Sequence, residues 1–384
     1  MNYDGRAITS ALASAKATII ALRTIPYQKQ WVDRLQEMEL KREVAGTSRI
    51  EGADFTDREL DEAMQDTPEK LVTRSQRQAY AAKQTYRWIA TVSDDRPIDD
   101  ELICEIHRRI VTGADEDHCP PGVLRARDQN VNFGAPRHRG AEGGEETLRA
   151  FRGLVAALNR EFPDHDRIIQ SMAAHCHFAA IHPFLDGNGR TARALEALLL
   201  QRAGLKNTAF IAMSNYYYDE KVAYLNALAE TRQRNHDLTP FLLFALKGLE
   251  VQGGRLLSEI RREMQKEVFR NLMYDLFGRL KSKRRGVIGK RQIEILKVLL
   301  QSSPITWREL LKRILHIYGE LKNPVLAAAR DVIGLESLGA VSIVVSPSGP
   351  QVELQLDWPT KITETEFFDR MKKLPQRKAY SILQ

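Results

Sequence analysis

Helical periodicity dominates the sequence up to about residue 275, because apolar residues recur three and four positions apart in stretches such as VDRLQEMELKREV and SQRQAYAAKQTYRWIATV. This spacing places the apolar side chains on one face of a helix. The first two thirds of the chain are therefore predicted to be all-α. No run approaches the roughly 18 uninterrupted apolar residues that a membrane helix needs, so no membrane association is predicted.

The pattern changes near the C-terminus. Three helical segments, QIEILKVLLQ, ITWRELLKRIL and NPVLAAARDVIGLESLG, precede two β-rich runs in AVSIVVSPSGPQVELQLDW that are joined by the turn residues Ser346–Pro350. Three helices followed by a hairpin is the order of a winged helix-turn-helix domain, which we place at about residues 287–359. The predicted fold class is mainly α.

Length and cysteine content limit the class of protein. A chain of 384 residues is long enough for two or three domains. The opening residues MNYDGRAITS lack the basic flank and apolar run of a secretory signal. Cys104, Cys119 and Cys176 form no CxxC pair, which is typical of a reducing compartment. A cytoplasmic location is therefore expected.

Basic residues are concentrated in one run, RLKSKRRGVIGKRQ at Arg279–Gln292, which holds seven Lys and Arg residues and no acid. The net charge of +7 over the whole chain is too mild to indicate a nucleic-acid role by itself. A solvated linker and a phosphate-binding patch are both compatible with the run, and the linker is favoured.

The densest chemistry lies in Ile181–Ala194, IHPFLDGNGRTARA, between two apolar helical runs. A glycine-bracketed loop that opens a helix gathers backbone N–H groups at the positive end of the helix dipole, which favours phosphate. Gly187 and Gly189 are predicted to supply unusual backbone angles. Arg190 and Arg193, three positions apart, would face the same way and clamp phosphate oxygens.

Two further side chains complete a candidate nucleotide site. Asp186 is a hard oxygen ligand for Mg²⁺, and the His182 side chain can accept a proton near neutral pH. The sequence has no Walker loop and no kinase HRD or DFG motif. A nucleotide site of another kind is predicted.

The segment His182-Pro-Phe184-Leu-Asp186-Gly-Asn188-Gly-Arg190-Thr-Ala-Arg193 meets every defined position of the HxFx[DE]GNGRxxR signature, and on it the chain is identified as a member of the Fic family. The resemblance implies a helical Fic (Fido) core with a β-hairpin flap. It also implies transfer of AMP from ATP, with Mg²⁺, to a Ser, Thr or Tyr hydroxyl of a protein. Because Gly189 is intact, AMP transfer is favoured over transfer of the γ-phosphate.

The resemblance assigns roles by position. His182 would be the general base, Asp186 the Mg²⁺ ligand and Phe184 the anchor of the loop. The ATP-binding set would comprise Gly187, Asn188, Gly189, Arg190 and Arg193, with Asn188, Arg190 and the loop amides forming an anion hole and Arg193 holding the γ-phosphate.

A second match lies upstream, in Gly46-Thr47-Ser48-Arg49-Ile50-Glu51-Gly52. Its pattern [ST]xxxE[GN], carried by Thr47, Glu51 and Gly52, resembles the inhibitory helix of Fic proteins. The resemblance implies that Glu51 pairs with Arg193 and denies that arginine to the γ-phosphate. The alternative is that Thr47 merely caps a surface helix.

Other parts of the family pattern are less distinct. Gly122–Arg125, Val131, Phe133 and Gly134 resemble the start of the flap that receives the target segment by strand pairing. Tyr217 and Tyr224 are candidates for the adenine-facing wall, with core packing as the alternative.

Cysteines and histidines outside the motif give one further hypothesis. Cys104, His107, His118 and Cys119 have the residue types of a zinc site, but adjacent ligands are awkward for one ion, and core packing is favoured.

The predicted segments are a helical region with the inhibitory motif at about 46–52 (1–95), the Fic core (96–240), a helical connector (241–286), the winged helix (287–359) and a short amphipathic tail (360–384). The favoured function is a self-restrained AMP transferase. Alternatives are a winged-helix DNA-binding regulator with an accessory Fic core, and removal of AMP with Glu51 orienting a water. Self-modification and a homodimer also stay open. Because NPVLAAARDVIGLESLG carries one arginine and two acids, the winged helix is expected to bind protein rather than DNA.

Overall fold

A computed structural model describes residues 1–26, 28–134, 136–205, 211–347 and 349–372, which are mostly helical. This confirms the predicted mainly α fold class. The chain forms two compact units, Met1–Ser258 and Glu259–Gln384. Within the described ranges, no helix combines the length and the apolar character needed to cross a membrane.

The first unit is built from helices and one small hairpin. Its elements are α1 (Gly5–Thr24), α2 (Lys29–Ile50), α3 (Asp57–Ala63), α4 (Arg74–Thr91), α5 (Asp100–Val111), β1 (Asn132–Phe133), β2 (His138–Arg139), α6 (Glu145–Arg160), α7 (Arg167–Ile181), α8 (Asn188–Leu200), α9 (Met213–Asp219), α10 (Lys221–Gln233) and the first part of α11 (Thr239–Gly278).

Side-chain caps determine where several of these helices begin. Thr73 and Gln76 form a reciprocal capping box at the start of α4, and Asp99 accepts the Leu102 N–H at the start of α5. Helix α5 is strongly amphipathic and buries Leu102, Ile106 and Ile110 on one side.

Helix α8 is the central element of this unit. Every residue from Arg190 to Leu200 is buried, so the helix is enclosed on all sides and not only along one stripe. A helix held in this way presents its N-terminus at a fixed position. The IHPFLDGNGR loop connects α7 to that N-terminus.

The flap, defined here as residues 126–141, contains the short predicted hairpin. Strands β1 and β2 are antiparallel, with Asn132 opposite Arg139 and Phe133 opposite His138. Gly134 turns the chain with φ +77°, in the left-handed region that favours glycine.

The second unit contains the three predicted helices and the predicted hairpin. Its elements are α12 (Lys283–Ser302), β3 (Ile305–Thr306), α13 (Trp307–Ile314), α14 (Pro324–Leu338), β4 (Val341–Ser346), β5 (Gly349–Leu354), α15 (Trp358–Lys361) and α16 (Glu364–Lys372). Strands β4 and β5 pair from Val341 with Leu354 to Ser346 with Gly349. The short β3, which periodicity did not reveal, pairs with β5. The winged-helix assignment stays a prediction that this order of elements supports.

Most of the basic run belongs to α12 and does not form an extended linker. Arg279 pairs with Asp275 and Glu364, and Arg291 pairs with the buried Asp331. These two arginines therefore stabilise the unit. In the predicted tail, α16 buries Phe367 and Met371, whereas residues 373–384 lie outside the described residues.

Candidate active site

The loop between α7 and α8 has two residues in the left-handed region. His182 ends α7 with φ +54°, and Gly187 precedes α8 with φ +73°. The prediction for Gly189 is wrong, because Gly189 lies inside α8 with ordinary helical angles. Gly189 leaves room for the Glu51 side chain, since a Cβ would lie 2.1 Å from Oε1 of Glu51 and the carboxylate would have to shift.

The His182 ring is oriented for accepting a proton at Nε2. Its Nδ1 lies 3.0 Å from the Ala179 carbonyl, which can only accept, so Nδ1 carries the hydrogen. The Phe133 ring of the flap stacks on the imidazole at 3.6 Å between centroids. Burial lowers the pKa of His182 to about 4, so the ring is neutral near pH 7. The lone pair on Nε2 is therefore available.

Asp186 presents a carboxylate at the mouth of the loop. Its side chain is 43% exposed, and Oδ1 accepts the Gly187 N–H at 2.6 Å. No group of three metal-ligating side chains occurs in the described ranges. The exposed Asp186 carboxylate is a ligand of the type that Mg²⁺ takes, since proteins usually bind this ion through one or two carboxylates together with phosphate and water oxygens.

Arg190 has a partner that sequence reasoning missed. Its Nη1 donates to Asp115 Oδ2 at 2.5 Å, and Asp115 also accepts from Arg74 and Gln78. Burial raises the pKa of Asp115, but the Arg190 charge and these hydrogen bonds outweigh burial and hold it below its usual value. The buried Nε of Arg190 has no partner among the described residues, so it is a donor that a phosphate oxygen would satisfy. Nothing in the spacing around Asp115 identifies it.

Arg193 is occupied by the segment that resembles the inhibitory helix. Its Nη2 donates to Glu51 Oε1 at 2.6 Å, and its Nε donates to Thr47 Oγ1 at 2.9 Å. Burial raises the pKa of Glu51, but the Arg193 charge outweighs it, so the carboxyl titrates below its usual range. Thr47 is buried rather than capping a surface helix, and Gly52 turns the chain with φ +91° directly after Glu51.

About two turns before Glu51, helix α2 contacts α9 and α4. The buried Glu43 carboxylate accepts the Ser214 N–H at 2.7 Å, the Ser214 hydroxyl, and the Tyr86 hydroxyl at 2.8 Å. Gly46 lies so close to α9 that a Cβ would stand 2.5 Å from backbone atoms of Ser214 and Asn215. These contacts determine where Glu51 is presented.

Raising the pH from about 5 to about 8 is expected to lower the free energy of unfolding through Glu43. Burial raises the pKa of this carboxyl from its usual 4.5 to about 7. Between pH 4.5 and about 7, the Glu43 carboxyl retains a proton in the native state that it has lost in the unfolded state. Its contribution to the free energy of unfolding is therefore complete below pH 4.5 and is lost as the pH rises through about 7. The loss is on the order of 3 kcal/mol. Denaturant unfolding as a function of pH measures it.

The matched variants are Glu43→Gln and Glu37→Gln. Glu37 lies on the same helix at the surface, so its variant should keep the pH dependence of the wild type. Glu43→Gln should show a flatter profile over this range. An unchanged profile would contradict the assignment.

The two tyrosines predicted to face adenine lie in the core instead. Tyr217 is fully buried, and its hydroxyl donates to Glu196 Oε1 at 2.7 Å. The Tyr224 hydroxyl lies 2.9 Å from His175 Nε2, and His175 also pairs with Glu196. The core alternative therefore describes both residues in this structure. The buried Glu196 that joins them was missed.

The zinc hypothesis is not supported, because both ring nitrogens of His107 are hydrogen-bonded to main-chain groups. Its Nδ1 accepts the Gly122 N–H at 2.9 Å, and its Nε2 donates to the Asp186 carbonyl at 3.0 Å. Phe184 is fully buried and stacks on the same ring at 3.6 Å. His107 and Phe184 thus support the loop from behind. Asn188 closes it, with its side chain bonding the Phe184 N–H and carbonyl.

Comparisons with known proteins agree with this geometry. A model of the Fic/DOC family matches residues 97–200, which end at the last residue of α8. "Protein adenylyltransferase fic-1" of Caenorhabditis elegans is 30% identical over 171 residues, covering 44% of this chain and 30% of that protein. "Protein adenylyltransferase Fic" of Nematostella vectensis is 33% identical over 159 residues, covering 41% of this chain and 33% of that protein. The chain thus spans about a third of the length of these curated relatives.

A solved structure shows the same fold. The crystal structure of a Fic family protein from Desulfovibrio desulfuricans G20 matches with a TM-score of 0.56 at 19% identity, covering 91% of this chain and 96% of that chain. The family model covers the helices and the loop that bring His182, Asp186, Arg190 and Arg193 together. This chain therefore contains a Fic domain, at residues 97–200.

Proposed function

We propose that this protein transfers AMP from ATP to a Ser, Thr or Tyr hydroxyl of a target protein. The observation that carries the proposal is the convergence of His182, Asp186 and Arg190 at the N-terminus of α8, with Arg193 one turn further on. The names of the curated relatives support the same reaction.

The chemistry follows from these positions. The target hydroxyl gives its proton to Nε2 of His182, and its oxygen forms a bond to the α-phosphorus while the bond to pyrophosphate breaks and that group leaves with the electron pair. The orphan Nε of Arg190 and the amides of the loop stabilise the charge on the phosphate oxygens. A Mg²⁺ ion held by Asp186 and the phosphates would neutralise part of the charge of ATP and of the leaving group.

We further propose that the protein restrains itself. While Glu51 holds Arg193, that guanidinium cannot bind the γ-phosphate, and ATP lacks the contact that orients its α-phosphate for attack. Removal of AMP is the alternative, in which Glu51 orients a water. The observation behind this alternative is that the Glu51 carboxylate lies at the site with 33% of its side chain exposed.

The partner expected for the catalytic unit is a protein with a hydroxyl side chain, and self-modification and a homodimer stay open. For the predicted winged helix we propose a protein-binding role. Helix α14 exposes Val325, Arg330, Glu336 and Ser337, a surface with little positive charge for a DNA groove. The cytoplasmic location stays a prediction.

The proposal is tested by incubating the full chain with Mg²⁺ and either α-labelled or γ-labelled ATP, in the Glu51→Gly background and with a cell extract. Covalent α-label without γ-label is expected on protein. Adding His182→Ala should reduce the label by roughly 100-fold or more, because the general base is lost. His118→Ala, at an exposed histidine outside the site, serves as the control.

Transfer of γ-label, or equal α-label in both histidine variants, would overturn the proposal. Release of pre-installed AMP label on addition of the wild-type protein would identify removal as the main activity.

A further inference from the structure

Arg125 is a buried arginine whose guanidinium bonds main-chain carbonyls. Its side chain is 2% exposed, and none of the ion pairs among the described residues involves it. Burial lowers the pKa of its guanidinium. Such a group is costly to bury, and every one of its donors should therefore have a defined acceptor.

The guanidinium bonds three main-chain segments through their carbonyl oxygens. Its Nε donates to His182 at 2.8 Å, its Nη1 to Gln129 at 2.6 Å and its Nη2 to Ala141 at 2.6 Å. Gln129 and Ala141 stand near the two ends of the flap, and His182 carries the proposed base. One side chain thus connects both ends of the flap to the catalytic residue.

Main-chain contacts reinforce this arrangement. The Arg125 N–H donates to the Pro183 carbonyl at 3.0 Å, and the Ala141 N–H donates to the Ile181 carbonyl at 3.1 Å. Gly140 leaves no room for a side chain, because a Cβ there would lie 2.9 Å from the Ile181 carbonyl and 3.0 Å from the His182 Cβ. The end of the flap is therefore packed directly against the residues around His182.

The backbone conformation of His182 explains why its hydrogen bond from Arg125 matters. A non-glycine residue at φ +54° is strained by roughly 1–3 kcal/mol and persists only where its surroundings hold it. The hydrogen bond from Arg125 to the His182 carbonyl acts on that residue itself. The Phe133 ring of the flap stacks on the His182 imidazole, so the flap contacts His182 through side chains as well.

We propose that Arg125 is a positioning residue that fixes the flap and His182 in one register, so that a hydroxyl on a segment paired with the flap arrives at Nε2 of His182. The proposal rests on the proposed function. It requires a planar fork with donors in three directions, which lysine, as a point charge, does not provide. Arg125 touches neither the phosphates nor the acceptor in this scheme.

The test compares Arg125→Lys with Arg160→Lys, both in the Glu51→Gly background. Arg160 is an exposed arginine at the end of α6, outside the flap and the loop, and is the matched control. Arg125→Lys is expected to lower kcat for AMP transfer to protein at least tenfold, while the Kd for a fluorescent ATP analogue changes less than threefold. Equal losses in ATP binding and transfer, or full transfer in Arg125→Lys, would overturn the proposal.

Amide hydrogen exchange gives a second readout that does not depend on activity. Arg125→Lys should speed exchange in peptides covering 126–141 and 179–185 and leave that of α8 unchanged, whereas Arg160→Lys should change neither. Unchanged exchange in the flap peptides would contradict the positioning role of Arg125. Faster exchange throughout Met1–Ser258 would show that Arg125 only stabilises the fold. If the Glu51→Gly parent transfers no AMP, the proposed function fails, and the exchange experiment still decides the role of Arg125.

Discussion

Replacing Glu51 with glycine is expected to increase AMP transfer by roughly 10-fold to 100-fold. The change removes the carboxylate that binds Nη2 of Arg193 at 2.6 Å and returns the guanidinium to the γ-phosphate. Arg193 is buried, whereas the Glu51 side chain is 33% exposed. A charge-assisted hydrogen bond of this kind is worth about 1.5–3 kcal/mol, and each 1.4 kcal/mol corresponds to about tenfold in an equilibrium. Initial rates of α-label incorporation at saturating ATP measure the effect.

The control for this prediction is Asp54→Gly. It removes an exposed acid three residues further along the chain and leaves the Glu51 to Arg193 contact in place, so its rate should match the wild type. Thr47→Ala should give a smaller rise than Glu51→Gly, because only the 2.9 Å bond from Nε of Arg193 is lost. Equal rates in Glu51→Gly and the wild type would show that the pair does not restrain the enzyme.

Local spacing explains why much of the site could be predicted from the sequence. Asp186, Arg190 and Arg193 follow one another at the start of a helix, so their positions relative to each other follow from helix geometry. The contact of Glu51 with Arg193 spans 142 positions and has no such local signal. It was predicted only through the resemblance of residues 46–52 to an inhibitory helix.

The groups that hold the site from behind could not be predicted in this way. His107 lies on α5, and Asp115 and Arg125 lie in the irregular chain that follows it. Their partners are far along the chain, in the loop before α8 or on α8 itself. A buried donor must find an acceptor, but the sequence does not say which one. Gly189 is a further example. The sequence alone does not distinguish a glycine that leaves room for a neighbouring side chain from one that adopts an unusual backbone angle.

Replacing Gly46 with alanine is expected to activate the protein without changing either member of the inhibitory pair. A Cβ at this position would stand 2.5 Å from backbone atoms of Ser214 and Asn215, and backbone cannot yield as a flexible side chain does. Overpacking of this kind costs about 1–3 kcal/mol. Helix α2 would have to move away from α9, and Glu51, which directly follows α2, would move with it.

The expected result is a rise in α-label incorporation of at least fivefold, together with a lower midpoint of thermal unfolding. Gly153→Ala is the matched control, because a Cβ on that helical glycine of α6 would meet nothing within 4 Å. That variant should keep the wild-type rate. Combining Gly46→Ala with Glu51→Gly should add little to the rate of Glu51→Gly alone, because both changes free Arg193. If the rate increases of the two single variants multiply in the double variant, the packing of α2 on α9 affects the rate by a route other than the contact of Glu51 with Arg193.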